Sequence, residues 1–204
     1  MTNKIITIGR QFGSNGRIIG QQLANKLGIP FYDKELLNKT AKNSGLSEQI
    51  LSSLDEKPTK SFLYSLVMDP YNYTYSGGGM QINLNQQAFQ ATYDTIKKIA
   101  DEGPCVIVGR CADYALREYD NLVRIFIYAP LQERIKTVAS KLGITEDKAK
   151  SLINNEDKGR AAYYNYYSTN KWGAIDTYDL LVNSSLMDID KAVDFLISFI
   201  NDMK

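Results

Sequence analysis

Gly9-Arg10-Gln11-Phe12-Gly13-Ser14-Asn15-Gly16-Arg17 mixes small, conformationally free residues with cations. Glycines let backbone N–H groups converge on an anion, and a helix starting at the loop's end adds partial positive charge. The chemistry this suits is phosphate binding. Laid onto the pattern G-x-x-x-x-G-K-[ST] from Gln11 to Ile18, the second glycine falls at Gly16. Gln11 stands in place of the first glycine, Arg17 of the lysine, and Ile18 of the magnesium-binding hydroxyl. Arg17 keeps the charge in a planar fork rather than a point. Ile18 offers a metal nothing, so Ser14 is the nearest hydroxyl for one. A glycine-rich strand-to-helix turn can also serve backbone approach alone, and both readings stand at this point.

Further along the chain, an arginine directly after an apolar strand and a glycine, Gly109-Arg110, is poorly explained as core. It suits a bidentate grip on a second phosphate. Asp113 falls on the same edge. Lys158-Gly159-Arg160 reads either as a solvated helix face paired with Glu156 and Asp157, or as cationic charge closing over a transferring phosphoryl group. Asp33 can cap the helix that follows it and can also project into a site at a strand's carboxyl end, two compatible readings. The chain has no histidine, which removes Ser-His-Asp and Cys-His catalysis and most zinc chemistry. Phosphoryl transfer suits what is left, because it depends on positioning and cationic stabilisation.

The elements that must position these residues alternate between two periods. Ile5–Ile8 is a β-branched run and reads as a buried strand. Ile18/Ile19, Leu23/Ala24 and Leu27 lie at helical spacing. A second strand is expected over Gly28–Tyr32 and a helix over Lys34–Lys42. Ser47 can cap a short helix through Leu54, Pro58 breaks the chain, and Phe62–Met68 reads as another helical turn or two. A tyrosine loop from Asp69 ends in Gly77-Gly78-Gly79, and the next helix is expected over Asn85–Ala100. Strands follow at Cys105–Val108, Leu122–Tyr128 and Leu180–Val182. Pro130 opens a helix striped by Leu131, Ile135, Val138 and Leu142, and Thr145 caps one running towards Arg160. Ile189, Ala192/Val193, Leu196/Ile197 and Ile200 make a closing helix. The alternation predicts an α/β fold with a mostly parallel sheet covered on both faces.

At 204 residues the chain suits one well-cored domain, with 44% hydrophobic and 23% charged residues. A net charge of +1 gives no case for nucleic acid or membrane as partner. No apolar run approaches about 18 residues, and cytoplasmic is the default expectation. Cys105 and Cys111 look like small core residues rather than a disulfide or metal site.

The series IITIGRQFGSNGRIIG, IPFYDKELL, CVIVGRCADYALR, RIFIYAPLQERI, NEDKGRAAYYNYYSTNKWG and YDLLVNSS resembles the cytidylate kinase-like family of P-loop proteins over nearly the whole chain. The resemblance implies a P-loop three-layer fold, with a monophosphate-binding insert at about 34–83 and a helical lid at about 145–175. It implies ATP and Mg²⁺ as cofactors and small-molecule nucleotides as partners, with CMP or dCMP the expected acceptor. Gly13, Ser14, Asn15, Gly16, Arg17 and Ile18 would hold the donor phosphates. Asp33, Arg110 and Arg134 would hold the acceptor, and Asn183 would lie near the donor base. Arg17, Arg110, Lys158 and Arg160 would act in catalysis, with Ser14 and Asp113 the side chains left for magnesium. The chain departs from the family at Arg17, Ile18 and Cys111, where a lysine, a hydroxyl and an aspartate are usual. A nucleotide-binding protein with little turnover and a kinase for another small metabolite therefore stay open.

Overall fold

The computed structural model describes residues 2–56 and 78–203. Five strands are found among them: β1 (Ile5–Arg10), β2 (Phe31–Tyr32), β3 (Val106–Val108), β4 (Leu122–Tyr128) and β5 (Leu180–Asn183). They form one sheet in the order β2-β3-β1-β4-β5, and every pairing is parallel. Ile8 lies level with Val108 on one side and Ile125 on the other, and Ile6 with Val106 and Val123, so the central strand's core-facing residues are flanked by apolar ones.

Strand alternation sends Ile6 and Ile8 to one face, where α1 (Gly16–Leu27) and the closing helix pack Ile19, Leu23, Val193 and Leu196 against them. Ile5 and Ile107 face the other way. There they meet Leu36 of α2 (Lys34–Ser44) and Ile96 and Ile99 of α4 (Gly78–Glu102). Leu116 joins them after the short α5 (Ala112–Ala115). Covering both faces is what allows strands to read as continuous apolar runs.

The short helix α3 (Glu48–Leu54) is capped by Ser47, whose hydroxyl accepts from the Ile50 N–H at 3.2 Å. Its contribution to a small satellite core is Leu51, against Ala88 of α4. A second satellite lies under the glycine loop, where α6 (Leu131–Leu142) and α7 (Glu146–Tyr167) pack Ile135, Val138, Ala149 and Ile153 beneath Phe12. Helix α8 (Ile189–Asp202), capped by Asp188, completes the chain. Both cysteines are buried and free. No helix of the described residues is long and apolar enough to cross a membrane.

Several boundaries move from the sequence expectation. Helix α4 starts at Gly78, so Gly78 and Gly79 belong to a helix rather than a loop. Helical hydrogen bonding carried in from the well-packed Thr92–Ala100 end outweighs glycine's weak propensity. Helix α7 runs on through Tyr167, because Phe89 stacks on Tyr167 at 3.9 Å and gives the tyrosine-rich end something to pack on. Leu142, placed on the buried stripe by periodicity, is half exposed at the end of α6. The Pro58 break, the Phe62–Met68 turns and the rest of the tyrosine loop lie outside the described residues.

Gly16 shows why the first helix can start where it does. A Cβ there would lie 2.7 Å from the Arg10 Cβ and 3.1 Å from the Ile127 Cβ, both fixed by the sheet. The helix N-terminus therefore rests on β1 and β4 more closely than any other residue allows. Gly16→Ala should lose about 1–3 kcal/mol in a urea melt through overpacking, despite alanine's better helix propensity. A neutral or stabilising result would show that the helix can slide outward freely.

Candidate active site

The carboxyl ends of three adjacent strands deliver the site: Arg10 closes β1, Asp33 follows β2, and Gly109-Arg110 follows β3. The turn after β3 is unusual. Gly109, Arg110 and Cys111 all take left-handed backbone conformations, with φ of +76°, 55° and 55°. Each non-glycine residue held there costs about 1 kcal/mol, and such outliers persist where the surroundings impose them. The turn folds the Arg110 side chain back under the strand ends, where 3% of the residue is exposed.

Arg110 is then fully occupied. Its Nε and Nη2 donate to the two Asp55 oxygens at 2.8 Å each, and Nη1 donates to Asp33 and to the Val108 carbonyl at 3.2 Å. Asp33 also accepts from Arg17 Nε at 2.5 Å. It stands at the N-cap of α2 without capping it, so of its two readings the projecting one describes the side chain. Arg10 makes a second bidentate pair, donating from Nη1 and Nη2 to Glu56 at 2.6 and 2.8 Å. The Arg110 main-chain N–H donates to the same Glu56 at 2.9 Å, and Arg160 Nε lies 3.4 Å from it.

Burial alone would push the Glu56 carboxyl upward, but Arg10, Arg110 and Arg160 together hold it well below the usual carboxylate range. Burial likewise opposes Asp33, and Arg110 and Arg17 overcome it, so its pKa is lowered. Asp55 moves the other way. Burial raises it more than Arg110 lowers it, yet two 2.8 Å bonds to a guanidinium make the ionised form the one this geometry holds. Burial and the neighbouring Arg10 lower the Arg160 pKa, a sign of cations crowded on one carboxylate.

Beside this cluster lies the glycine loop. Gly13 (φ +82°) and Asn15 (φ 59°) take left-handed conformations on either side of Ser14, and α1 begins directly after. The loop and the cluster share one open cleft of about 1150 Å³. It brings together Gly13, Asn15, Gly16, Arg17 and Ile18 with Asp33, Arg110, Lys158 and Arg160. Lys158 is exposed on its wall. The pairing of Lys158 and Arg160 with Glu156 and Asp157 does not form: Arg160 turns to Glu56, and Asp157 to Arg134.

Four expected site residues lie elsewhere. The Ser14 hydroxyl is buried and donates to the Gln11 and Ile127 carbonyls at 2.8 and 3.1 Å, under the loop rather than into the cleft. Asp113 lies behind the strand ends, bonded to the Tyr164 hydroxyl, and burial raises its pKa. Neither side chain offered for magnesium therefore faces the cleft. Among the described residues there is no group of three or more acidic, cysteine or histidine side chains that could hold a metal. Arg134 is buried: it donates to the Ala129 and Phe12 carbonyls and, at 2.6 Å, to Asp157. It supports the loop from below and does not present a fork to an acceptor. Asn183 accepts from Ser185 within its own turn.

Arg10, Asp55 and Glu56 were missed by sequence reasoning. Arg10 carried a legible signal, since the Gly-Arg that ends β1 repeats the Gly109-Arg110 that ends β3. Asp55 and Glu56 carried none. They follow a short helix in an irregular stretch, and only the fold brings them to the arginines.

A family model described as the cytidylate kinase-like family matches residues 5–186. A cytidylate kinase of Thermoplasma volcanium is 21% identical over 201 residues, covering 97% of this chain and 92% of that protein. The crystal structure of an uncharacterized protein from Eubacterium ventriosum superposes with a TM-score of 0.74 at 29% identity, over 98% of this chain and 99% of that one. A gluconokinase from Sinorhizobium meliloti gives 0.57 at 12% identity, over 98% and 93% of the two chains. A shikimate kinase from Bacteroides thetaiotaomicron gives 0.55 at 14%, over 97% and 98%. The likenesses establish the fold as that of the P-loop kinases.

Two measurements test this geometry. Asp157 accepts from both the Phe12 N–H and Arg134, so Asp157→Ala should cost about 3 kcal/mol in a urea melt. Arg134→Ala added to it should cost far less than on its own; full additivity would show that the two do not act as a pair. Glu56 ionises near 4.3 in an unfolded chain and lower in the fold. Its contribution is thus complete above about pH 5 and lost as pH falls. Glu56→Gln should flatten the fall of stability between about pH 5 and 3; an unchanged slope would remove the pair from the acid response.

Proposed function

The chain belongs to the cytidylate kinase-like family, and from that premise we propose that it transfers the γ-phosphoryl group of ATP to a nucleoside monophosphate, CMP or dCMP first. The observation that carries this reading is the convergence of Arg10, Arg17, Arg110 and Arg160 on one cleft wall beside the glycine loop. Convergent guanidinium groups beside backbone N–H donors suit two phosphate-bearing ligands better than a neutral substrate.

In the proposed reaction the donor phosphates lie along Gly13–Ile18 at the start of α1, where the left-handed residues turn the backbone and the helix end is positive. The acceptor phosphate is oriented by Arg10 and by the Arg110 main-chain N–H, the groups that grip the Glu56 carboxylate, and attacks in line. No general base is required, because an ionised phosphate is already a nucleophile. Asp33 is held ionised between Arg17 and Arg110, and its role is to aim both forks. Arg17, Lys158 and Arg160 carry the charge that spreads over the transferring group. Among the described residues no group of side chains fits a resident magnesium ion, so magnesium enters as part of the MgATP substrate.

A second reading, a nucleotide-binding protein with little turnover, is favoured by Ile18 at the hydroxyl position and by the inward Ser14. A coupled assay for ADP release across CMP, dCMP, UMP, AMP and GMP separates the two. Acceptor-dependent turnover is expected, reduced roughly a hundredfold or more in kcat/KM by Arg10→Lys, which keeps the charge and loses the fork. A folded protein that binds ATP and turns over none of these acceptors selects the binding protein or a different acceptor.

A further inference from the structure

The carboxylates that satisfy the cleft arginines come from the protein itself: Asp33 after β2, and the dipeptide Asp55-Glu56 after α3. Glu56 lies where Arg10 grips it with two bonds, the Arg110 N–H caps one of its oxygens, and Arg160 approaches from α7. Asp55 fills the fork of Arg110. Both line the open cleft. Gly109 makes room for the arrangement, since a Cβ there would overlap both the Glu56 carboxylate and the Arg10 guanidinium.

Three features mark this occupancy as replaceable. Glu56 holds a left-handed backbone, φ 49°, at a cost of about 1 kcal/mol that its ion pairs must offset. Helix α3 is seven residues long and buries Leu51, so little core is disturbed when it shifts. Among the described residues, the ion pairs of the cluster set Arg10, Arg17, Arg110 and Arg160 against Asp33, Asp55 and Glu56, one cation in excess. A phosphate monoester dianion in place of the Glu56 monoanion would make the cluster neutral.

We propose that Arg10, Arg160 and the Arg110 main chain form an anion seat for a phosphate monoester, and that Glu56 is the built-in competitor that fills it until that group arrives. The kinase reading supplies the expected occupant, the acceptor's phosphate; the competition itself requires no turnover. The competitor lowers the apparent affinity by the fraction of time it holds the seat. It also keeps the Arg10 and Arg160 guanidinium groups from standing unpaired in an empty site. Arg10 is thereby a binding residue, and Glu56 a residue that sets the threshold for acceptor entry.

Calorimetric titration of the full chain with inorganic phosphate and with CMP tests this. Glu56→Gln removes the competing charge and should tighten binding of both probes by roughly tenfold. Arg10→Ala on that background should abolish the gain. Glu56→Asp, which retains the charge but retracts the carboxylate, should tighten binding by a smaller factor and covers the case in which the glutamine variant does not fold. In the wild-type chain, saturating phosphate should speed amide hydrogen exchange over residues 48–56 as Glu56 is released and the end of α3 loosens, with Asp55 staying on Arg110. Unchanged or weaker binding in the Glu56 variants, or exchange over 48–56 that is unchanged or slowed, would overturn the proposal and make Glu56 a fixed brace for Arg10. Tighter phosphate binding without acceptor turnover would keep the seat and sink the kinase reading; turnover without the gain would do the reverse.

Discussion

A guanidinium group taken out of water must be paired, and much of the site's architecture follows from that demand. Arg110 is almost completely buried behind the strand ends. Leaving it unpaired would cost several kcal/mol, so the fold surrounds it with Asp33, Asp55 and a backbone carbonyl. The same constraint joins Arg10 to Glu56 and Arg17 to Asp33. Because these partners come from β1, α1, β2, the end of α3 and the turn after β3, pairing the arginines also fixes the relative positions of those elements. The left-handed turn from Gly109 to Cys111 is the local strain this arrangement imposes on the chain.

The glycine loop is held by a separate set of contacts. Ser14 donates beneath it to the Ile127 carbonyl, and Ser184 donates to the Ser14 carbonyl at 2.7 Å. Asp157 accepts from the Phe12 N–H while Arg134 bridges the Phe12 carbonyl and Asp157. These bonds tie the loop to β4, to the turn after β5 and to α7, so helix α7 is coupled to the loop through side chains rather than through sequence. Phe12 completes the attachment by packing into the apolar satellite beneath α6 and α7. The loop thus presents its left-handed residues to the cleft from a rigid base, which favours pre-organised anion binding.

For the proposed phosphoryl transfer, the consequence is a division of labour. The loop and helix start supply backbone dipoles, which do not need counterions when the cleft is empty. The arginines supply full charges, which do. A site that binds phosphate through many buried guanidiniums must therefore carry its own anions, and those anions stand in competition with the ligand.

Much of this was legible in the residues. The period-2 and period-3.6 patterns located the strands and helices because burial on one face imposes those spacings on any amphipathic element. Arg110 could be singled out because its type conflicts with a place in the core, whereas the loop, Asp33 and the lysine and arginine of α7 each carried a structural reading beside the functional one. Arg134, expected at the acceptor through the family resemblance, and the Ser14 hydroxyl are instead bonded to backbone carbonyls far away in sequence, which no local pattern reveals. The sequence by itself determined the alternation, the parallel sheet and the cationic edge. Which arginine meets which carboxylate was decided by tertiary structure alone, because Arg10 and Glu56, or Arg110 and Asp55, become neighbours only when separate strand ends and a distant helix end are brought to one edge.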